Sequence, residues 1–168
     1  MFVKHVKRKI PETIIEEELI KILKVTKKKH HKLAFALGFY QAMRVSEIVK
    51  LKPENIDFGQ KLIRIKQGKG GTDRNIPIAP EVLRGLKHLP IGCGVRALQL
   101  IFKKYVKLAG IDKDLHFHCL RHSGASHYLN KKKWDLRSVQ VFLGHSRIDT
   151  TTIYTHVNPQ DLVNKMWG

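Results

Sequence analysis

Six residues whose side chains can bind or attack a phosphodiester occur in order along this chain. They are Arg44, Lys69, His118, Arg121, His145 and Tyr154. Cationic side chains stabilise the negative charge that grows on the nonbridging oxygens of a phosphate in its transition state. A tyrosine phenol can act as a nucleophile and form a covalent intermediate. The series therefore points to a site that holds one phosphodiester with cations and attacks it with a phenol.

Three of these residues have ordinary structural explanations when each is considered alone. Arg44 could form a surface ion pair with Glu47, three residues further along a helix. Lys69, in the glycine-rich stretch 68–71, could be an ordinary hairpin lysine. His145 follows Gly144 and could cap the last carbonyls of a helix. Only the whole series is specific.

The His118 and Arg121 pair carries more information because of its spacing. Residues three apart on a helix face the same way, so both side chains can reach one phosphate. His122 directly follows Arg121. We interpret His122 as a core or supporting residue and assign it no catalytic role.

The residue types suggest a division of labour. Arg44 and Arg121 suit a phosphate clamp, because a guanidinium holds phosphate with two hydrogen bonds and stays charged. Lys69 is the best general acid for the leaving oxygen, since nearby arginines would favour loss of its proton. His145, just past a predicted helix end, would be favoured in its protonated form and could donate to a phosphate oxygen.

The four tyrosines differ in their neighbours. Tyr40, Tyr105 and Tyr128 lie among apolar residues at helical spacing, so we predict that they belong to the core. Tyr154 lies between polar residues, in Thr-Thr-Ile-Tyr-Thr-His. It is the predicted nucleophile.

This ordered set resembles the catalytic signature of the tyrosine recombinase family, which includes phage integrases and Xer-like proteins. The resemblance runs from about Pro11 to the C-terminus. One departure is Ala42, at a position two residues before the first arginine where the family commonly has glycine. The resemblance implies that Tyr154 cleaves one DNA strand to leave a 3′-phosphotyrosyl link, and that His118 assists loss of the tyrosine proton.

The resemblance also implies partners. We expect double-stranded DNA as the substrate and a homotetramer on two DNA sites during recombination, with a monomer as the isolated domain. Residues 1–168 are predicted to form a single catalytic domain, and the family's N-terminal DNA-clamp domain is expected to be absent. A C-terminal segment over residues 159–168 is expected to dock on a neighbouring protomer, or to fold back on its own domain in the monomer. The alternative is a plain structural cap.

Periodicity and the resemblance together predict a mainly α fold with a small three-stranded antiparallel β-sheet, like a tyrosine recombinase catalytic domain. A capping box at Thr13 and Glu16 predicts the start of the first helix. Further helices are predicted over 32–43, 46–51, 80–88, 95–109, 118–130, 135–143, 149–156 and from Pro159 onward. Strands are predicted over 55–58, 62–65 and 74–78, with Pro77 placing the third strand at an edge.

The composition is strongly basic. There are 32 Lys and Arg residues against 14 Asp and Glu residues, a formal net charge of +18. Such an excess is typical of proteins that bind a polyanion. The two cysteines, Cys93 and Cys119, provide no disulfide framework, so a reduced cytoplasmic, DNA-associated protein is expected. No apolar run reaches the length of about 18 residues that a membrane span requires.

Other chemistries fit less well. His118 and His122, four apart, could share a helix face as zinc ligands, but the usual ligand spacings are not met. We predict no metal and no cofactor: there is no phosphate-binding loop for ATP, and the acids do not cluster with the cationic motifs as a magnesium site would require. Two other functions stay open, a type IB topoisomerase with the same chemistry and a non-catalytic DNA-binding module.

Overall fold

The computed structural model describes residues 12–66, 73–144 and 159–168. The helices of these residues are α1 (Glu16–Val25), α2 (Lys29–Tyr40), α3 (Val45–Lys50), α4 (Pro80–Leu83), α5 (Val95–Leu108), α6 (Phe117–Asn130), α7 (Leu136–Leu143) and α8 (Pro159–Trp167). The strands are β1 (Ile56–Asp57), β2 (Leu62–Ile65) and β3 (Arg74–Pro77). They form one antiparallel sheet in the order β1-β2-β3. The predicted fold class is therefore confirmed, and β3 is an edge strand as predicted.

The centre of the fold is the contact between α2 and α6. Two glycines make this close approach possible. A Cβ on Gly124 of α6 would lie 2.0 Å from the carbonyl oxygen of Phe39, and a Cβ on Gly38 of α2 would lie 2.9 Å from Leu120 Cδ1. Most of α2 is buried, which explains why its sequence is apolar on nearly every face.

Several predicted helix boundaries are wrong for identifiable reasons. Helix α1 begins at Glu16 rather than directly after Thr13, because Glu18, not Glu16, accepts the hydrogen bond from the residue before the helix, Ile15. Helix α2 includes Lys29 and ends at Tyr40, since Ala42 adopts a φ of 46° that a helix cannot continue.

The helix predicted over 80–88 is two shorter pieces. Helix α4 ends at Leu83, and a separate 3₁₀ turn covers Leu86–His88. Strand β1 is also shorter than predicted, because Asn55 belongs to a 3₁₀ turn that begins at Pro53. These changes leave the order of the elements intact.

Other predictions are confirmed closely. Asp135 caps α7 by accepting a 2.8 Å hydrogen bond from the Ser138 N–H, and Gly144 ends that helix at a φ of 69°. Tyr40, Tyr105 and Tyr128 are all in the core. The helix predicted over 149–156 lies outside the described residues.

Helix α8 packs on β3 of its own domain. Leu162 and Val163 are buried there, and Trp167 Nε1 donates a 2.9 Å hydrogen bond to the carbonyl oxygen of Ile78. Lys165 forms an ion pair with Asp135 at the start of α7. Among the residues that the structure describes, no helix is long and apolar enough to cross a membrane.

Candidate active site

Arg44 lies at the junction between α2 and α3. Its backbone N–H donates a 2.8 Å hydrogen bond to Glu47 Oε2, the usual arrangement when the third residue of a helix is glutamate. Its Nη1 donates to Glu47 Oε1 at 3.0 Å. The Arg44 side chain is still 38% exposed over the described residues, so a ligand could reach part of it.

Arg121 is buried in α6 and donates hydrogen bonds to the backbone. Its Nη1 donates to the carbonyl oxygen of Ala42 at 2.6 Å, and its Nη2 donates to that of Leu143 at 2.8 Å. One bond fixes the chain two residues before Arg44, and the other fixes the end of α7, directly before Gly144. Arg121 thus connects the chain before Arg44 with the end of α7. Its predicted contact with phosphate stays a prediction, since a guanidinium has five N–H donors.

The charge around Arg121 is mostly positive. Burial and the charge of Arg44 lower the pKa of Arg121 to about 10, with Glu47 opposing the shift and Arg74 adding to it. Arg121 is still protonated at neutral pH. Three guanidinium charges therefore act on one another here, and the Glu47 carboxylate pairs with two of them, an arrangement that favours a bound anion.

Among the residues that the structure describes, Glu47 is the acid that pairs with the arginines of this site. It is 9% exposed and bonds to both Arg44 and Arg74. Burial by itself would raise the pKa of the Glu47 carboxyl, but Arg74 and, to a lesser extent, Arg44 lower it below its ordinary value. The Arg44–Glu47 pair exists, as the structural alternative supposed, but it is a half-buried part of the site rather than a surface pair.

Arg74 is the residue that the sequence analysis missed. Its Nη1 and Nη2 donate to the two oxygens of Glu47 at 2.8 and 3.1 Å. A signal was available: residues two apart on a strand face the same side, and Arg74 is two residues before the fully buried Ile76. A basic residue on the inward face of a strand needs a buried anionic partner.

His118 is exposed on α6, beside the arginines. Burial lowers the pKa of His118, and the charges of His122, Arg121 and Arg44 lower it further. Its imidazole is therefore neutral at neutral pH and can accept a proton. His122 is exposed as well, with its ring centroid 4.5 Å from that of His118 in an edge-to-face arrangement. Of the two expected places for His122, the structure excludes the core and agrees with a supporting residue beside His118.

Lys69, His145 and Tyr154 lie outside the described residues, so their assignments stay predictions. Their neighbours along the chain do adjoin the site. Arg74 begins β3 shortly after the segment that carries Lys69, and Gly144 directly precedes His145. A Cβ on Gly144 would lie 2.6 Å from Arg74 Cδ, so the two flanking positions are in contact.

The described residues contain no group of three or more histidine, cysteine, aspartate or glutamate side chains that could hold a metal ion. His118 and His122 form only a pair. Over residues 12–66, 73–144 and 159–168, the chemistry that the side chains offer is that of a cationic cluster beside a neutral imidazole.

This fold and site define a helical domain with an arginine cluster suited to phosphate. The sequence matches the model of the phage integrase family over residues 12–161. The chain belongs to this family.

Individual relatives agree. A tyrosine recombinase of Pseudothermotoga lettingae is 32% identical over 96% of this chain and 63% of its own length. A tyrosine recombinase XerA of Thermococcus onnurineus is 35% identical over 94% of this chain and 62% of its own length. The integrase of mycobacterium phage Brujita has the same fold, with a TM-score of 0.79 at 24% identity, over 95% of this chain and 58% of that one. The chain thus spans about three fifths of the length of these relatives.

Proposed function

We propose that this chain is the catalytic domain of a site-specific DNA recombinase that cleaves and rejoins DNA without a metal ion. The observation that carries the proposal is the group of Arg44, Arg74 and Arg121, the first two paired with Glu47 and the third bonded to the chain just before Arg44, with the imidazole of His118 beside them. Such a cluster suits a phosphodiester whose nonbridging oxygens gain charge. The net charge of +18 supports double-stranded DNA as the substrate.

In the proposed reaction the Tyr154 oxygen attacks the scissile phosphorus. A bond forms between that oxygen and phosphorus, and the bond from phosphorus to the 5′ oxygen breaks. The tyrosine proton passes to His118, and Lys69 gives a proton to the leaving 5′ oxygen. Arg44, Arg121 and His145 stabilise the charge on the nonbridging oxygens. The products are a 3′-phosphotyrosyl link and a free 5′-hydroxyl.

Rejoining is the reverse reaction with another 5′-hydroxyl. The phosphotyrosyl link conserves the energy of the phosphodiester, so no ATP is required. Exchange between two duplexes requires four active sites, two on each DNA site. We therefore propose a homotetramer on two DNA sites, with a Holliday junction as intermediate.

The test uses a nicked suicide duplex, from which the short 5′-hydroxyl strand is lost after cleavage. Wild type should form a covalent protein–DNA band on a denaturing gel, in the presence of excess chelator. Tyr154→Phe should bind DNA and form no band, whereas Tyr105→Phe, which alters a buried core tyrosine, should form it. An adduct with Tyr154→Phe, or a strict need for added Mg²⁺ or Zn²⁺, would contradict the proposal.

Two further outcomes distinguish the alternatives. Relaxation of supercoiled plasmid by the monomer, without exchange between two sites, would identify a topoisomerase. Tight DNA binding by a folded wild-type chain that never forms an adduct would identify a non-catalytic DNA-binding module.

A further inference from the structure

Arg74 and Glu47 form a buried, two-bond ion pair between β3 and α3. The side chains are 10% and 6% exposed, and the two hydrogen bonds measure 2.8 and 3.1 Å. A buried ion pair of this kind is weak evidence for a stabilising role, because an apolar pair of similar volume is often equally stable. Arg74 Nε is also buried without a hydrogen-bond partner among the described residues, which is unfavourable for folding. Stability alone therefore does not explain Arg74.

The second observation is that Glu47 is shared. Arg74 donates one hydrogen bond to each oxygen of Glu47, from Nη1 and from Nη2. Arg44 also donates one to each oxygen, but one of these comes from its backbone N–H and only the other from its side chain, through Nη1. Arg74 thus supplies two charged donors to the carboxylate. If Arg74 were absent, the buried charge of Glu47 would attract the Arg44 guanidinium inward with both of its terminal nitrogens. Arg44 would then present fewer donors to a ligand.

The third observation is the contact between Arg74 and Gly144. A Cβ at position 144 would lie 2.6 to 2.9 Å from Cδ, Nε and Cζ of Arg74. The Arg74 side chain therefore lies directly against Gly144, the residue that ends α7 and precedes His145. The Gln41 side chain joins the end of α2 to the end of β3. Its Nε2 donates a 2.7 Å hydrogen bond to the Pro77 carbonyl oxygen, and its Oε1 accepts a 2.6 Å bond from the Ala79 N–H. Arg74 is accordingly held between the chain around Arg44 and the end of α7.

We infer that Arg74 is a positioning residue of this active site: by neutralising Glu47, it keeps the Arg44 guanidinium turned toward the scissile phosphate. The inference rests on the proposed function. It concerns a residue that contacts another side chain of the site and need not touch the DNA itself.

The experiment compares Arg74→Met with two controls, on the suicide duplex and on the same duplex with a methylphosphonate at the scissile position. Arg44→Ala is the positive control. Arg64→Met is the matched negative control, because Arg64 is on the same sheet and forms a 2.7 Å ion pair with Asp57 that is exposed. Single-turnover cleavage rate, DNA dissociation constant and melting temperature are measured for each protein.

Arg74→Met should cleave the normal duplex about 10²-fold more slowly than wild type, the size of effect that a misplaced catalytic group produces. Its DNA affinity should change less than its rate. On the methylphosphonate, which lacks the charge that Arg44 stabilises, Arg74→Met and Arg44→Ala should both come within a few fold of wild type. Arg64→Met should resemble wild type on both substrates.

A double variant provides an independent test. If the uncompensated charge of Glu47 is the cause of the defect, Glu47→Gln should partly restore the cleavage rate of Arg74→Met, and it should also help that protein to fold. A merely structural role predicts equal losses on both substrates, and a rescue by Glu47→Gln that is confined to the melting temperature. Either of these results, or full activity of Arg74→Met on the normal duplex, would overturn the inference.

The two proposals fail in different ways. Absence of any adduct from wild type would contradict the proposed function. An adduct from wild type and an equal amount from Arg74→Met would contradict only the role of Arg74.

Discussion

Arg121 Nη1 donates a 2.6 Å hydrogen bond to the carbonyl oxygen of Ala42. Ala42 is fully buried and has a φ of 46°, a left-handed conformation that glycine adopts more easily than alanine. This bond fixes the chain that leads into Arg44. The two arginines predicted to clamp phosphate are thus held relative to each other through the backbone. A glycine at position 42, which the resemblance to the family led us to expect, would adopt this conformation more easily than alanine.

Replacement of Gly124 with alanine should destabilise the domain. The new Cβ would lie 2.0 Å from the Phe39 carbonyl oxygen, so α2 and α6 would have to separate. Overpacking of this kind costs about 1–3 kcal/mol of unfolding free energy. Urea denaturation measures the change. Ser126→Ala, at an exposed position of the same helix, should stay within about 0.5 kcal/mol of wild type; an equal effect of the two changes would contradict the close packing.

The pH dependence of cleavage should report His118. Its pKa is lowered by burial and by His122, Arg121 and Arg44, so the neutral, proton-accepting form is present at neutral pH and is lost only as the pH falls through this lowered pKa. In a plot of the single-turnover cleavage rate against pH, the midpoint of the acidic limb should therefore lie below the ordinary histidine pKa of about 6.5.

A variant can move this limb in a known direction. His122→Asn removes one of the charges that lower the pKa of His118, so the limb should shift to higher pH. His116→Gln, which changes another exposed histidine near the start of α6, should leave the limb in place. An unmoved limb in His122→Asn would argue against His118 as the proton acceptor.

Lys69 should be dispensable when the leaving group needs no proton. Lys69→Ala should slow cleavage of ordinary DNA by about 10²–10⁴-fold, the usual contribution of a general acid. A substrate with sulfur at the 5′ bridging position releases a thiolate unaided, so the defect should largely disappear. Lys66→Ala, at an exposed position after β2, serves as the control. Equal defects of Lys69→Ala on the two substrates would mean that Lys69 only binds phosphate.

Deletion of residues 159–168 should lower the melting temperature. The helix buries Leu162 and Val163 on its own domain, and burial of each such side chain stabilises the fold by about 1.5–3 kcal/mol. Lys165→Ala, which removes only a solvent-exposed ion pair with Asp135, should cost less than about 1 kcal/mol. A truncated chain that keeps its melting temperature but fails to self-associate on DNA would instead support a docking segment.

DNA affinity should depend steeply on salt. The net charge of +18 and the lysine runs at 27–29 and 131–133 favour binding dominated by phosphate contacts. The logarithm of the association constant should fall linearly with the logarithm of salt concentration, with a slope of about −0.9 for each phosphate neutralised. A flat response in a filter-binding or anisotropy titration would contradict this prediction.

The sequence by itself determined the order of the elements and the identity of the family. Local signals were sufficient to predict α7, because the capping aspartate and the terminal glycine stand directly at the two ends of the helix. They were also sufficient for the edge position of β3, since proline lacks the N–H that a central strand needs. The ordered cations and the tyrosine identified the family because their types and sequence order need no tertiary information.

Only the tertiary structure decided how the arginines are connected. The Arg74–Glu47 pair joins residues far apart in the chain, and no local rule specifies which acid a strand arginine will meet. Likewise, Glu47 was expected to be a surface partner of Arg44, but it is buried and also pairs with Arg74 of β3. Long-range contacts of this kind depend on how the helices and the sheet pack. For this reason the sequence could predict which cations bind phosphate, whereas only the structure showed that Glu47 pairs with two arginines.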